Sequence, residues 1–254
     1  MARGTLWMVS AGAVLAMAVS LPCWGAPEPV RMVTQEWAPF AGDRLPMQGA
    51  AVSVVRAVVR RMGTDVDLRF VPWSRAVLMA RRDDAVVAYF PEYYDVANAQ
   101  QFLYSEPIAT SRLVLVQRKR APVVWKHLDD LANKTIGVVR GFLSTEELDV
   151  RIADGRLFAS EAPDDSKNLL KLAAGRLDVA VVDAAVFEYL LRNDPAVQVV
   201  SSELEVNAQV LEDKRLYVCF KKTPKGRALR DAFNQALKLV PVEAIWRQAM
   251  TRMP

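Results

Sequence analysis

From residue 30 onward, short β-branched runs alternate with helix-length amphipathic segments, and they do so in two successive series. This alternation constrains the fold more than any other feature. Strand–helix–strand repeats call for parallel strands with helices covering both faces of the sheet. In the first series, residues 30–33, 66–71 and 85–89 read as strands. Residues 50–62 carry apolar side chains at 51, 54, 55, 58, 59 and 62, a helical stripe that Gly63 can cap, and 74–82 read as a second helix. In the second series, 135–139, 177–182 and 197–200 read as strands. Helices are expected over 125–132, after a capping box spanning Ser144 to Glu147, over 166–174 with Gly175 as its stop, and over 184–192. Two further strand runs, 112–117 and 215–220, are placed to cross from one series to the other and back, and residues 226–239 and beyond are helical. The expectation is an α/β chain of two lobes joined by two hinge-crossing strands. Lobe 1 takes 26–113 plus 216–254, lobe 2 takes 114–215, and a ligand site lies in the cleft at the carboxyl ends of the strands.

The first residues give an address. Arg3 precedes an uncharged apolar run over 6–21, which ends in Pro22, Cys23, Trp24, Gly25 and Ala26. This is the layout of a secretory signal peptide, 1–25, cleaved after Gly25, because cleavage after Ala26 would place bulky Trp24 at the −3 position. Pro22 and the lack of a Leu-x-small pattern argue against lipidation of Cys23. With Cys23 gone, Cys219 stands alone in an apolar strand run and reads as a buried, inert thiol. No later run approaches the roughly 20 apolar residues of a spanning helix, so a soluble periplasmic protein of Gram-negative type is expected, most simply a monomer.

Lys and Arg total 33 against 29 Asp and Glu, a net charge of +4, but the basic pairs are scattered without stacking aromatics between them, so no nucleic acid partner is expected. His127 is the one histidine, which leaves too few ligands for a usual zinc site. No phosphate-cradling glycine loop and no nucleophile elbow occurs. No cofactor and no metal is expected, and the chain is read as a binder rather than an enzyme.

One segment breaks the α/β pattern: YFPEYYDVANAQQFLYSEP, residues 89–107. It is too aromatic for an idle surface loop and too interrupted by proline for a central strand, so its first half reads as a cleft loop with ligand-facing rings.

Several stretches, in order, resemble the family 3 extracellular solute-binding proteins, the periplasmic receptors of polar amino acid ABC importers. Residues 30–40 (VRMVTQEWAPF) resemble that family's opening strand and aromatic loop, and 71–75 (VPWSR) the start of its second helix. Residues 102–107 (FLYSEP) resemble its F-S-x-P element, 128–141 (LDDLANKTIGVVRG) its L-x-D-L-x-x-K-x-I-G-V-x-x-G, and 172–183 (LAAGRLDVAVVD) its L-x-x-G-R-x-D-A-x-x-x-D. The resemblance implies a Venus-flytrap fold of type II that closes on one small solute. It implies that Trp37, Trp73 and Phe40 belong to aromatic walls and that Asp183 holds an ammonium group. The family's carboxylate-binding arginine is missing, because Asn98 stands seven residues before Ser105. Arg75, Arg112 or Arg140 are candidate replacements, and Ser144 a candidate hydroxyl. Tyr89, Phe90 and Tyr93 are candidate ligand contacts, while Glu36 and Glu92 are cleft acids or solvated loop charges. The function implied is capture of an amino acid-like or amine-containing solute for the permease of an ABC importer. Two alternatives accompany it: a cyclohexadienyl-type dehydratase, with Glu36 or Glu92 as general acid, and a ligand-sensing partner of a membrane receptor.

Overall fold

A computed structural model describes Met1 and residues 28–254 of the 254-residue chain. The leader segment, with Cys23 and the expected cleavage point, lies outside the described residues.

The elements run β1 (Val30–Thr34), α1 (Ala50–Arg61), β2 (Val66–Phe70), α2 (Trp73–Arg82), β3 (Ala88–Tyr93), α3 (Val96–Ala99), β4 (Phe102–Tyr104) and β5 (Ala109–Arg118). They continue through β6 (Thr135–Val139), α4 (Glu146–Ala153), β7 (Phe158–Ala162), α5 (Asp165–Ala173), β8 (Val179–Asp183), α6 (Ala184–Asn193) and α7 (Pro195–Val200). The chain closes with β9 (Leu204–Lys221), α8 (Pro224–Leu237) and α9 (Val242–Thr251).

The strands form one sheet in the order β2-β1-β3-β9-β5-β8-β6-β7, with β4 pairing with β9 off this path. Each flank is parallel: β1 pairs with β2 and β3, and β6 with β7 and β8. The centre is antiparallel, with β9 paired with β3 and β5, and β5 with β8. The two flanks are the two lobes, and β5 and β9 are the strands that pass between them. β9 is 18 residues long, so one strand serves both lobes, pairing with β5 from Leu204 to Leu216 and with β3 from Leu216 to Phe220.

Burial follows the apolar pattern. In α1 the side chains of Val52, Val54, Val55, Val58 and Val59 are wholly buried, each worth about 1.5–3 kcal/mol relative to exposure. These valines lower intrinsic helix propensity, and packing against the rest of the core outweighs that loss. Gly63 stops the helix with φ +89. Cys219 is fully buried in β9, and burial pushes its thiol well above the usual range, so it is the inert thiol that its apolar run foretells.

Four expectations need correction. Residues 197–200 belong to helix α7, because Asp194 accepts hydrogen bonds from the Ala196 and Val197 N–H groups and Pro195 sits at the first helical position. The aromatic segment is not a loop at its start. Residues 88–93 are strand β3 in the middle of the sheet, and Pro91 is accommodated where the register with β9 shifts between Tyr89 and Glu92. The capping box expected from Ser144 is absent, since the cap of α4 is Thr145, which accepts from Leu148 N–H at 3.1 Å. The helix expected over 125–132 shrinks to a single 3-10 turn, Leu128–Leu131. Strand β7, polar and half-exposed, carried no apolar signal.

Gly226 lies in the first turn of α8, where its N–H meets Thr223 Oγ1 at 3.1 Å and an added Cβ would fall onto the Lys221 carbonyl. Gly226→Ala should therefore destabilise the fold by about 1–3 kcal/mol. A urea midpoint equal to that of the parent protein would contradict this.

Candidate functional site

The carboxyl ends of β1, β3, β6 and β8 converge between the lobes, and the side chains there are aromatic and acidic. Trp37, in the turn after β1, packs edge-on against Tyr93 at 6.0 Å and against Phe142 at 6.1 Å between centroids. Trp73, the first residue of α2, packs against Tyr89 at 5.4 Å and Phe142 at 6.2 Å. Phe142 follows Gly141, whose φ of +76 turns the chain sharply after β6 and delivers the ring across the cleft between the two tryptophans.

Two cavities of about 20 Å³ each remain among these rings, room for about one water apiece. Gln35 and Glu92 border the first, and Asp165, Asp183 and Ser144 the second; Trp37, Tyr93 and Phe142 border both. No lysine or arginine is among the residues lining either. A much larger cavity, about 950 Å³, opens beside β9, and several of its charges pair with one another. Arg151 meets Asp129 at 2.9 Å and Glu147 at 2.8 Å, and Lys214 meets Glu212 at 3.6 Å. In the small cavities, by contrast, Glu92, Asp165 and Asp183 sit beside aromatic rings with no ion pair among the described residues, and these hold the candidate chemistry.

Asp183 ends β8 and caps α6, accepting from the N–H groups of Ala185 at 2.8 Å and Val186 at 3.4 Å. Its other oxygen is 3.5 Å from the Tyr93 hydroxyl. Burial pushes the carboxyl up to about 7 against the pull of these donors. Asp165 opens α5. Its carboxyl is raised to about 7 by desolvation and then by the charge of Asp183, while a hydrogen bond from the Trp37 side chain acts in the opposite direction. Glu92 accepts from Tyr93 N–H at 2.9 Å and from the Tyr89 hydroxyl at 3.3 Å, and desolvation still raises it to about 8. Tyr93 links the parts: its hydroxyl lies 3.2 Å from Ser111 Oγ on β5, and Lys214 Nζ sits 5.2 Å from its ring centroid.

Of the residues singled out from sequence, Trp37, Trp73, Tyr93, Ser144 and Asp183 come together in the cleft. Tyr89, Phe90 and Phe40 are fully buried, Phe40 stacked on Trp246 at 5.3 Å. Asn98 donates to the hydroxyls of Tyr89 at 2.6 Å and Tyr104 at 2.8 Å, tying the segment to itself. Arg112 pairs with Asp213 at 3.0 Å and Arg140 with Glu161 at 2.9 Å, all four exposed, and Arg75 is exposed on α2. Glu36 accepts from Asp43 N–H at 3.1 Å on the surface, whereas Glu92 lines the cleft. Asp165, Gln35 and Phe142 were not anticipated as site residues. The doublet Asp164-Asp165 was the available signal for the first: Asp164 caps α5 by accepting from Lys167 N–H at 2.8 Å, which frees its neighbour for the cleft.

Two outcomes follow. Tyr93→Phe removes a hydrogen bond that lowers the Asp183 carboxyl, so Asp183 should titrate at higher pH in the variant, measured by carboxyl NMR; a titration at or below the parent value counts against the contact. All three cleft carboxyls titrate above the unfolded range of about 4. The folded protein therefore holds protons that the unfolded chain gives up, and its stability should fall as pH rises from about 5 to 8. Urea midpoints that climb across this interval would refute that assignment.

No protein-family description matches the sequence, and no curated protein sequence does. Solved structures do match the fold. A histidine kinase sensor domain described as similar to periplasmic binding proteins superposes with a TM-score of 0.75 at 18% identity, covering 90% of this chain and 96% of its own. An ancestral arginine-binding protein bound to arginine gives 0.72 at 17% identity, covering 90% and 99%. The GluR0 ligand-binding core from Nostoc punctiforme, in complex with L-glutamate, gives 0.68 at 19%, covering 87% and 97%. With its two parallel flanks, its two crossing strands and these superpositions, the chain has the two-lobed α/β fold of the periplasmic binding proteins.

Proposed function

We propose that this protein is a periplasmic receptor that captures a small amine-bearing solute in the cleft and presents it to the permease of an ABC importer. The observation that carries this reading is the pairing of two buried carboxyls, Asp183 and Glu92, and the half-buried Asp165 with aromatic walls, in a lining that holds no basic side chain. Carboxylates in a dry cleft attract ammonium groups strongly, and tryptophan and tyrosine rings favour cations over their faces. Matching structures named for arginine or glutamate binding support a solute-binding role. In this reading the leader 1–25 exports the chain, the lobes divide at 113/114 and 215/216, and a monomer works alone. The cleft contacts are Trp37, Trp73, Tyr93, Ser144 and Asp183, now joined by Asp165 and Glu92. Ligand entry requires the lobes to part, because cavities of about 20 Å³ admit no solute.

A sensing role is the second reading, favoured by the superposition on a histidine kinase sensor domain. A dehydratase reading gains a protonated Glu92 as acid but lacks a cation to seat a substrate carboxylate.

The test is ligand-dependent thermal stability at neutral pH. Amines should raise the melting temperature, a ligand at 100 times its Kd adding about 2.7 kcal/mol. Dicarboxylates without an amino group should leave it unmoved. Stabilisation by the dicarboxylates alone would reverse the assignment.

A further inference from the structure

We propose that the cleft is built for a dication, a short α,ω-diamine with one ammonium group at Glu92 and the other at Asp165 and Asp183. This rests on the amine-receptor reading and adds to it the number and spacing of the charges. The two cavities share Trp37, Tyr93, Phe142 and Leu143 in their walls. Glu92 borders only the first of them, and Asp165 and Asp183 only the second. Tyr93 sets the separation. Its backbone N–H is 2.9 Å from Glu92 Oε1 and its hydroxyl 3.5 Å from Asp183 Oδ2, so the acidic poles stand about one tyrosine length apart. A methylene chain of matching length would cross an aromatic layer, which suits it better than it would suit a second polar group.

Neither pole is closed by an ion pair, and the nearby cation, Lys214, acts on Glu92 from a distance. Glu92 and Asp183 are only 7% and 3% exposed, and none of the three carboxyls joins an ion pair among the described residues. A buried carboxylate without a paired cation is costly, so burial favours the protonated acids. The groups facing Glu92 are Tyr93 N–H, the hydroxyls of Tyr89 and Tyr104, the Cys219 thiol, the charge of Asp95, and Lys214, which is already engaged by Glu212 and the Tyr93 ring. Those facing Asp183 are two backbone N–H groups, the Tyr93 hydroxyl and Asp165; those facing Asp165 are Asp183, Asp164 and the Trp37 side chain. None of these satisfies a second positive charge requirement on both sides, whereas a diamine does. Its arrival drives protons off the carboxyls, so binding strengthens as pH rises through 7 to 8 while alkylammonium groups, with pKa about 10, stay charged. An α-amino acid, even one with a cationic side chain, brings a carboxylate for which neither lining holds a lysine or arginine.

The experiment is calorimetry on the exported chain with putrescine, cadaverine and n-butylamine, each in two buffers of different ionisation enthalpy at pH 6.5 and 7.5. The expected result is a diamine bound at least tenfold more tightly than butylamine, with net proton release and a higher affinity at pH 7.5. Glu92→Gln, confirmed folded by its melting curve, should narrow the diamine-to-monoamine ratio at least threefold. Should the variant not fold, the parent protein's ratio and proton release decide alone. Butylamine binding as tightly as putrescine overturns the dication and leaves the amine receptor standing. Diamine binding without proton release overturns the role given to the carboxyls. No binding by any of the three overturns both readings.

Discussion

The antiparallel pairing of β5 with β9 is the constraint on which the rest of the molecule depends. Each parallel flank is an ordinary open α/β sheet, and no strand of one flank pairs with a strand of the other. Ladder bonds from Ala109↔Leu216 to Arg118↔Leu204 make the two flanks one sheet. They also fix how the carboxyl ends of β1 and β3 face those of β6 and β8. The ladder is irregular between Leu113 and Val116, beside the cleft, so the strands are least regular where the lobes meet. Tyr93 anchors to this seam through Ser111 and Lys214, which is why one ring can reach groups from both lobes.

The fold was largely legible because its strands and helices bury one kind of face each. Residues 135–139 and 179–183 are apolar runs that a doubly covered sheet requires, 66–70 alternate apolar with charged residues as a strand at the sheet's edge does, and α1 shows its stripe openly. What misled were competing local signals. Val197 and its neighbours are good strand formers, yet the Asp194-Pro195 start outweighs that preference. Proline argued against a strand at 91, and a register shift absorbs it. A strand such as β7, with exposed Phe158 and polar neighbours, leaves no periodic trace.

The site was legible only in part, and for a different reason. Trp37, Trp73, Tyr93 and Asp183 sit at strand ends, where position along the chain implies position in space. Arg112 and Arg140 sat equally well in sequence, but each meets an acid that sequence separation hides: Asp213 is 101 residues from Arg112, and Glu161 is 21 from Arg140. Exposed pairs of this kind contribute little to stability, about 0–1 kcal/mol, but they occupy the guanidinium groups. Asp164 and Asp165 are adjacent and identical in type, so only three-dimensional placement tells the helix cap from the cleft acid.

The sealed thiol in β9 has a practical consequence. Cys219 is fully buried, its sulfur protonated and shielded beneath Tyr89 and Tyr104, and it is the free cysteine among the described residues. A maleimide dye reacts with thiolates that solvent can reach. Cysteines introduced one on each flank could therefore carry a donor and an acceptor fluorophore with little background from the native thiol. The separation of the lobes in solution could then be followed by energy transfer without first rebuilding the core.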